Sequence, residues 1–215
     1  MTCDWWWHFQ KEINEDFGFN IKREKVAQNL LTRLSRGRPL ENLNLSGKKV
    51  VIVGADLSNN TPLPKDFLIA ADGAVKAFRE RNHVPDIVVS DLDGYPSDIN
   101  WATRNGAALV IHGHGDNLSR LIEYVPKMNF TTLTSTYPSE SLDCWGGFTD
   151  GDRSILMALS LGAASVSLLG FSFDSLGKYT GSSSPQVKKK KLHWAKRIIF
   201  EISSRYDRFK GHSVL

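Results

Sequence analysis

Asp91 and Asp93 leave the end of a short apolar run, Ile87–Val89, with one residue between them. Period two points both carboxylates to the same side for as long as strand geometry lasts. Two carboxylates held together repel, and a divalent cation between them removes the repulsion. Hard oxygen ligands suit Mg²⁺, which commonly bridges carboxylates and substrate phosphates. A second polar group, His112-Gly113-His114-Gly115-Asp116-Asn117, follows the apolar run Ala107–Ile111. Two readings compete there. In one, His112, His114 and Asp116 supply imidazole and carboxylate to zinc for hydrolysis. Asn117 then stands where a further histidine is expected, and only His193 and His212 lie downstream. In the other, Asp116 joins Asp91 and Asp93 as a third carboxylate from a neighbouring strand. The histidines are then hydrogen-bonding groups, and the glycines let a phosphate approach.

Three further clusters combine glycine with acids. Gly54-Ala55-Asp56-Leu57-Ser58 follows Val50–Val53. A glycine there permits a sharp turn and close approach to a phosphate. No second glycine of a dinucleotide fingerprint and no P-loop lysine accompanies it, so a plain strand-end turn competes. Ala71-Asp72-Gly73-Ala74 is another strand-to-turn junction; Asp72 either caps the next helix or accepts from a ribose hydroxyl. Gly146-Gly147-Phe148-Thr149-Asp150-Gly151-Asp152-Arg153 opens a helix. Acids at a helix start are favoured by its dipole whatever their function, and the same residues suit a substrate loop.

These groups need strands to hold them. Apolar runs at Val50–Val53, Phe67–Ala70, Ile87–Val89, Ala107–Ile111, Phe130–Leu133 and Val166–Leu169 alternate with helical stretches at Gly73–Arg81, Ser97–Asn105, Leu118–Val125 and Arg153–Leu161. Near-continuous apolar strands alternating with helices predict a mostly parallel, Rossmann-like α/β sheet covered on both faces. Ligands in such sheets bind beyond the carboxyl ends of the strands, where the polar clusters lie. Residues 1–40 read as an N-terminal helical arm closed by Arg36-Gly37-Arg38-Pro39, with Trp5, Trp6 and Trp7 as packing or oligomer contacts. Residues 41–215 form the α/β domain, with a loop at Gly177–Pro185 before a last helix, Gln186–Phe209.

Composition narrows the classes. The 215 residues are 41% hydrophobic and 23% charged, which excludes collagenous, disordered and coiled-coil chains. The net charge of +4 is concentrated near Lys188–Lys191, which reads as a solvated helix face or a phosphate contact. No helix-turn-helix, zinc-finger or RNA-binding signature accompanies it, so no nucleic-acid partner is expected. No apolar run can span a bilayer, and no charged-then-apolar leader opens the sequence. Two cysteines fit a reducing compartment. A cytoplasmic protein without a membrane partner is the expectation.

Taken in order, Ala71-Asp72-Gly73-Ala74, Pro85–Gly94, His112–Asn117 and Gly147–Arg153 resemble the archaeal 6-hydroxymethyl-7,8-dihydropterin pyrophosphokinase (MptE-like) family. Its members are similar to thiamine pyrophosphokinases in their sheet domain and strand-end aspartates. The resemblance extends from the tryptophan-rich arm to the lysine-rich helix. It implies Mg²⁺-dependent transfer of diphosphate from ATP to a pterin alcohol, with AMP released, in methanopterin- or folate-type synthesis. Thiamine as acceptor, or a binding module without turnover, are the alternatives. By this resemblance Asp91, Asp93 and Asp116 hold Mg²⁺, and one of them or Asp72 takes the alcohol proton. Gly54, Ser58, Asp72, Gly73, Arg153, Lys190 and Lys191 face ATP. His114, Asn117, Phe148, Asp150 and Asp152 face the pterin, with Phe148 or Trp145 stacking on its ring. A homodimer is a further implication. One departure is visible: the family often has Gly-x-Gly-Pro-Ser after its first strand, and Asp56-Leu57 occupy the Gly-Pro positions here.

Overall fold

The computed structural model describes residues 4–38, 40–173, 177–179 and 185–212. Cys3, Pro39 and most of the loop expected at Gly177–Pro185 lie outside them. Seven strands form one sheet: β1 (Lys49–Val53), β2 (Phe67–Ala71), β3 (Ile87–Ser90), β4 (Ala108–Gly113), β5 (Thr132–Ser135), β6 (Ser165–Leu169) and β7 (Phe209–His212). Their order is β5-β4-β3-β2-β1-β6-β7 and every neighbouring pair is parallel. The expected parallel α/β architecture is therefore present.

Alternation along each strand divides the core into two layers. Val51 and Val53 of β1 join Leu68, Ala70, Val88, Leu109 and Ile111 on one face. Val50 and Ile52 join Ile69, Val89, Val110 and Val166 on the other. A sheet apolar on both sides must be covered twice. Helices α3 (Ala74–Glu80), α4 (Pro96–Arg104) and α5 (Leu118–Tyr124) cover the first face; α6 (Asp150–Ser160) and α7 (Pro185–Arg205) cover the second. The arm is part of both layers. Helix α1 (Asp4–Phe17) puts Trp6 and Ile13, both fully buried, into the second layer; α2 (Ile21–Leu34) puts Ala27 and Leu31 into the first. Asn20 starts α2 by accepting the Lys22 amide at 2.8 Å, as an N-cap does.

Two boundaries differ from the sequence reading by three residues or more. Helix α6 begins at Asp150, not Arg153, because Thr149 and Asp152 form a capping box there. Helix α7 ends at Arg205, and Phe209–His212 becomes an edge strand instead of more helix. Arg208 anchors that return by donating to the carbonyls of Ala163 and Leu159 at 2.8 and 3.1 Å. Four residues with an irregular register carry too little period-two signal to be read as a strand.

The chain lays down β1 to β5 outward in one direction, then returns to the other side of β1 for β6. The loops after β1 and β6 consequently part, and a crevice opens at that switch point. Gly54 sits at its root, its amide donating to Leu169 at 2.8 Å. A Cβ on Gly54 would lie 2.6 Å from the Gly170 carbonyl oxygen and 2.8 Å from the Phe171 ring. Gly54→Ala should therefore cost about 1–3 kcal/mol of stability, read from urea unfolding. An unchanged midpoint would show that the two strand ends are not locked at this contact.

Candidate active site

Two neighbouring strand ends and a helix start bring acids together. Asp72 follows β2 and adopts a left-handed backbone, φ +38°. Its amide donates to Val89 at 2.8 Å, and its Oδ1 accepts the Ser90 hydroxyl at 2.5 Å. Asp72 therefore does not cap α3; its carboxylate turns toward the end of β3. The Ser90 Oγ in turn accepts the Leu92 amide at 2.8 Å. Leu92 is fully buried with φ +68°, and Arg120 donates to its carbonyl at 2.6 Å. This left-handed residue ends the strand between the two predicted acids. Asp91 and Asp93 converge through a turn, with the Asp93 amide donating to Asp91 Oδ1 at 3.0 Å, and not through the pleat. Asp150, at the first turn of α6, approaches from beneath β1 and β2.

Asp72, Asp91 and Asp150 each place a carboxylate oxygen within 4.8 Å of the other two. Among the described residues this is the group able to hold a metal ion, and it contains no histidine. Its chemistry fits Mg²⁺: every donor is a hard oxygen, and Asp150 Oδ1 is buried with no hydrogen-bond partner among the described residues. Asp116, the third ligand expected from the sequence, is not part of this group. Its side chain is 55% exposed, and its nearest cation is Arg23 at 3.8 Å. The turn after β4 carries it to the wall of the second cavity, whereas Asp72 and Asp150 come from the strand end and helix start that face Asp91.

The acids are not electrostatically equal. Burial, then the charges of Asp91 and Asp93, push Asp72 well above the ordinary carboxylate range. Burial, Asp91 and Asp72 do the same to Asp150, against the pull of Arg153. Burial and Asp91 raise Asp93. Asp91 alone goes down. Burial opposes its ionisation, but the hydrogen bond from His114, with the charge of Lys191 and the Asp93 amide, holds it well below the usual range. His114 Nδ1 faces the Asp116 amide at 3.3 Å, which leaves Nε2 to donate to Asp91 Oδ2 at 3.3 Å.

Two cavities meet at this group, sharing Asp93 and Lys191 in their walls. The first, about 200 Å³, lies in the switch-point crevice. Gly54, Asp72, Gly73 and Lys191, expected on the ATP side, line it with Asp150, Phe171 and Lys188. The amides of Gly54 and Asp56 already donate to Leu169 and Gly170 at 2.8 Å, so they are not offered to a phosphate. The second cavity, about 410 Å³, opens on the other side of Asp91. His114, Asn117 and Phe148, expected on the pterin side, line it together with Asp116, Phe17, Phe19 and Glu24.

Other expected residues are placed elsewhere. Ser58 is exposed and lines neither cavity, its carbonyl accepting from Arg81 at 2.7 Å. Lys190 pairs with Asp16 at 2.8 Å, tying α7 to α1. Arg153 sits at the wall of the second cavity, not the first, 3.9 Å from Asp150. Asp152 is fully buried and accepts the amides of Phe148 and Thr149 and the Thr149 hydroxyl. Capping occupies both of its oxygens, so none remains for a substrate. Trp145 is a core residue. Asn117 lines the second cavity but acts as a clamp, donating to the Asp91 and His112 carbonyls at 2.8 Å and accepting the His114 amide at 3.0 Å. His112 is 2% exposed, and burial, then Arg153 and His114, hold it well below the usual histidine range, so it is neutral. Sequence reasoning missed Ser90 and Glu24. Ser90 carried no signal beyond its place before Asp91, and Glu24 lay in an arm read as packing.

The raised acids have a consequence for stability. With their pKa values raised, Asp72 and Asp150 keep their protons to higher pH in the folded protein than in the unfolded chain, which releases them near its ordinary value of about 3.9. Their contribution is fully present below that pH and is lost as pH rises through the folded pKa. Asp150→Asn abolishes the loss. Without metal it should melt higher than the wild type near about pH 8, with the gap closing toward about pH 4. A gap independent of pH would contradict the assigned electrostatics.

Among known proteins, a family profile described as "6-hydroxymethylpterin diphosphokinase MptE-like" matches residues 24–177. The chain is similar to the 6-hydroxymethyl-7,8-dihydropterin pyrophosphokinase of Methanothermobacter thermautotrophicus, at 34% identity over 93% of this chain and 94% of the relative. The enzyme of the same name from Methanocaldococcus jannaschii is 32% identical over 93% and 95% of the two chains. That of Pyrococcus furiosus is 34% identical over 93% of each. The profile spans most of the chain and the relatives align over nearly all of it: the chain belongs to the MptE-like 6-hydroxymethylpterin diphosphokinase family.

Proposed function

We propose that this protein transfers the diphosphate of ATP to the hydroxymethyl oxygen of 6-hydroxymethyl-7,8-dihydropterin, giving the pterin diphosphate and AMP in methanopterin- or folate-type synthesis. The observation that carries this reading is the carboxylate group between two cavities, combined with family membership. A two-substrate diphosphate transfer needs two pockets that meet where the reacting atoms meet.

ATP occupies the switch-point cavity and the pterin occupies the second. Asp72, Asp91 and Asp150 hold Mg²⁺, which neutralises polyphosphate charge when bound. Lys191, in the wall of both cavities, adds a cation beside the transferred group. The alcohol oxygen attacks the β-phosphorus, the bond from that phosphorus to the α–β bridging oxygen breaks, and AMP leaves with the electron pair. Asp93 takes the alcohol proton. It borders both cavities, and its raised pKa makes it a better base than an ordinary aspartate. His114 keeps Asp91 ionised and oriented, and Asn117 fixes the turn that carries His114.

AMP release from ATP and Mg²⁺ tests the reading, with the pterin alcohol and thiamine as parallel acceptors. The expected result is AMP with a diphosphorylated product from the pterin and none from thiamine. Asp91→Asn should lower kcat at least about a hundredfold, and Asp116→Asn should lower it far less. Silence with the pterin in folded protein, or equal losses in the two variants, would contradict the proposal.

A further inference from the structure

The second cavity contains a carboxylate that the phosphate chemistry leaves unused. Glu24, in the first turn of α2, is 7% exposed and lines this cavity. Its Oε1 accepts the Gly115 amide at 2.9 Å, while Oε2 is buried with no hydrogen-bond partner among the described residues. Leaving a carboxylate oxygen unpaired out of water is costly. The local packing is built around this placement: a Cβ on Gly115 would lie 2.9 Å from Glu24 Oε1 and 2.8 Å from Arg23 Cβ. Arg23 holds the same turn from outside, donating twice to the Gly115 carbonyl at 2.8 and 3.0 Å.

Aromatic rings surround the same space. Phe148 lies 5.0 Å from Phe17 and 6.1 Å from Phe19, ring centre to ring centre, and all three are half-buried cavity walls. A flat heterocycle is the ligand such walls accept. One turn links the two ends of the cavity: His114 donates to Asp91, and its neighbour Gly115 donates to Glu24. A ligand held at Glu24 therefore extends toward the carboxylate group.

We propose that Glu24 is the residue that recognises the aminopyrimidinone edge of the acceptor, its unpaired Oε2 taking the 2-amino and N3 hydrogens while the phenylalanines flank the ring. This rests on the functional reading above and adds the specificity-determining contact to it. The hydroxymethyl carbon sits at the opposite end of the bicycle from the 2-amino group. Gripping one end at Glu24 directs the alcohol toward Asp91 and Asp93. The helical arm thus supplies recognition, and the strand ends supply phosphate chemistry.

The test pairs a variant with a substrate analogue. Glu24→Gln keeps an oxygen for the Gly115 amide but presents an NH₂ where Oε2 was, setting donor against donor. Binding of 6-hydroxymethyl-7,8-dihydropterin, measured by calorimetry without ATP, should weaken about 10- to 100-fold. The pterin KM should rise in parallel, with the ATP KM unchanged. In the wild type, the corresponding 6-hydroxymethyl lumazine, with a 2-oxo group in place of the 2-amino group, should bind worse by a similar factor, and Glu24→Gln should erase that preference. Wild-type indifference to the 2-amino group would overturn the assignment even if the variant failed to fold. So would unaltered pterin affinity in a folded variant. Pterin binding that depends on Glu24 without AMP release would support this recognition and refute the reaction, so the two claims fail separately.

Discussion

Four aspartates from three chain segments are forced into one small volume, and much of the local structure answers the repulsion that results. Asp72, Asp91, Asp93 and Asp150 sit where burial already penalises charge, and each ionised neighbour makes the next harder to ionise. The protein outweighs this at one member only. Asp91 receives His114, the Asp93 amide and the field of Lys191, while the other three are left to hold protons or to receive a cation. Asymmetry of that kind suits a site whose charge changes when metal and polyphosphate arrive together.

The sheet explains how such an arrangement can be rigid. Parallel strands all end on the same side, so Asp72 after β2 and Asp91 after β3 are neighbours by register, with Ala71 paired to Val89 just before them. The fully buried Ser90 binds both left-handed residues, Asp72 through its hydroxyl hydrogen and Leu92 through its oxygen. Backbone strain at a site persists when surrounding packing over-determines it. Here Leu92 is locked into the core and Arg120 holds its carbonyl. Helix α6 adds Asp150 from below, and its burial from Gly151 to Leu159 fixes that carboxylate as firmly as a strand would.

Most of the architecture was legible from the sequence because strand alternation and strand-end polarity are local signals. Strands β1 to β6, their crossover helices and the acids at 72, 91, 93 and 150 all stood out. The expected site residues that the structure places elsewhere are those whose meaning depends on what lies opposite. Asp116 has the right type and spacing for a ligand, yet the turn after β4 aims it at Arg23. Asp152 looks like Asp150 in sequence, but its place two helical residues further on puts it in the capping box. Lys190 and Lys191 are adjacent, and a helical turn of about 100° per residue sends one to Asp16 and the other to the cavities. Glu24 was illegible because nothing in α2 announces that the turn at Gly115 folds against it.

The proposed reaction depends on the carboxylate group being one cation site at the junction of two substrate cavities. Crystals grown with Mn²⁺ and a non-hydrolysable ATP analogue would show this directly by anomalous scattering. A peak bounded by Asp72, Asp91 and Asp150, with the analogue's phosphates beside it and its base in the switch-point crevice, is the predicted result. A peak at His112, His114 and Asp116, or a nucleotide seated between Phe17 and Phe148, would contradict it.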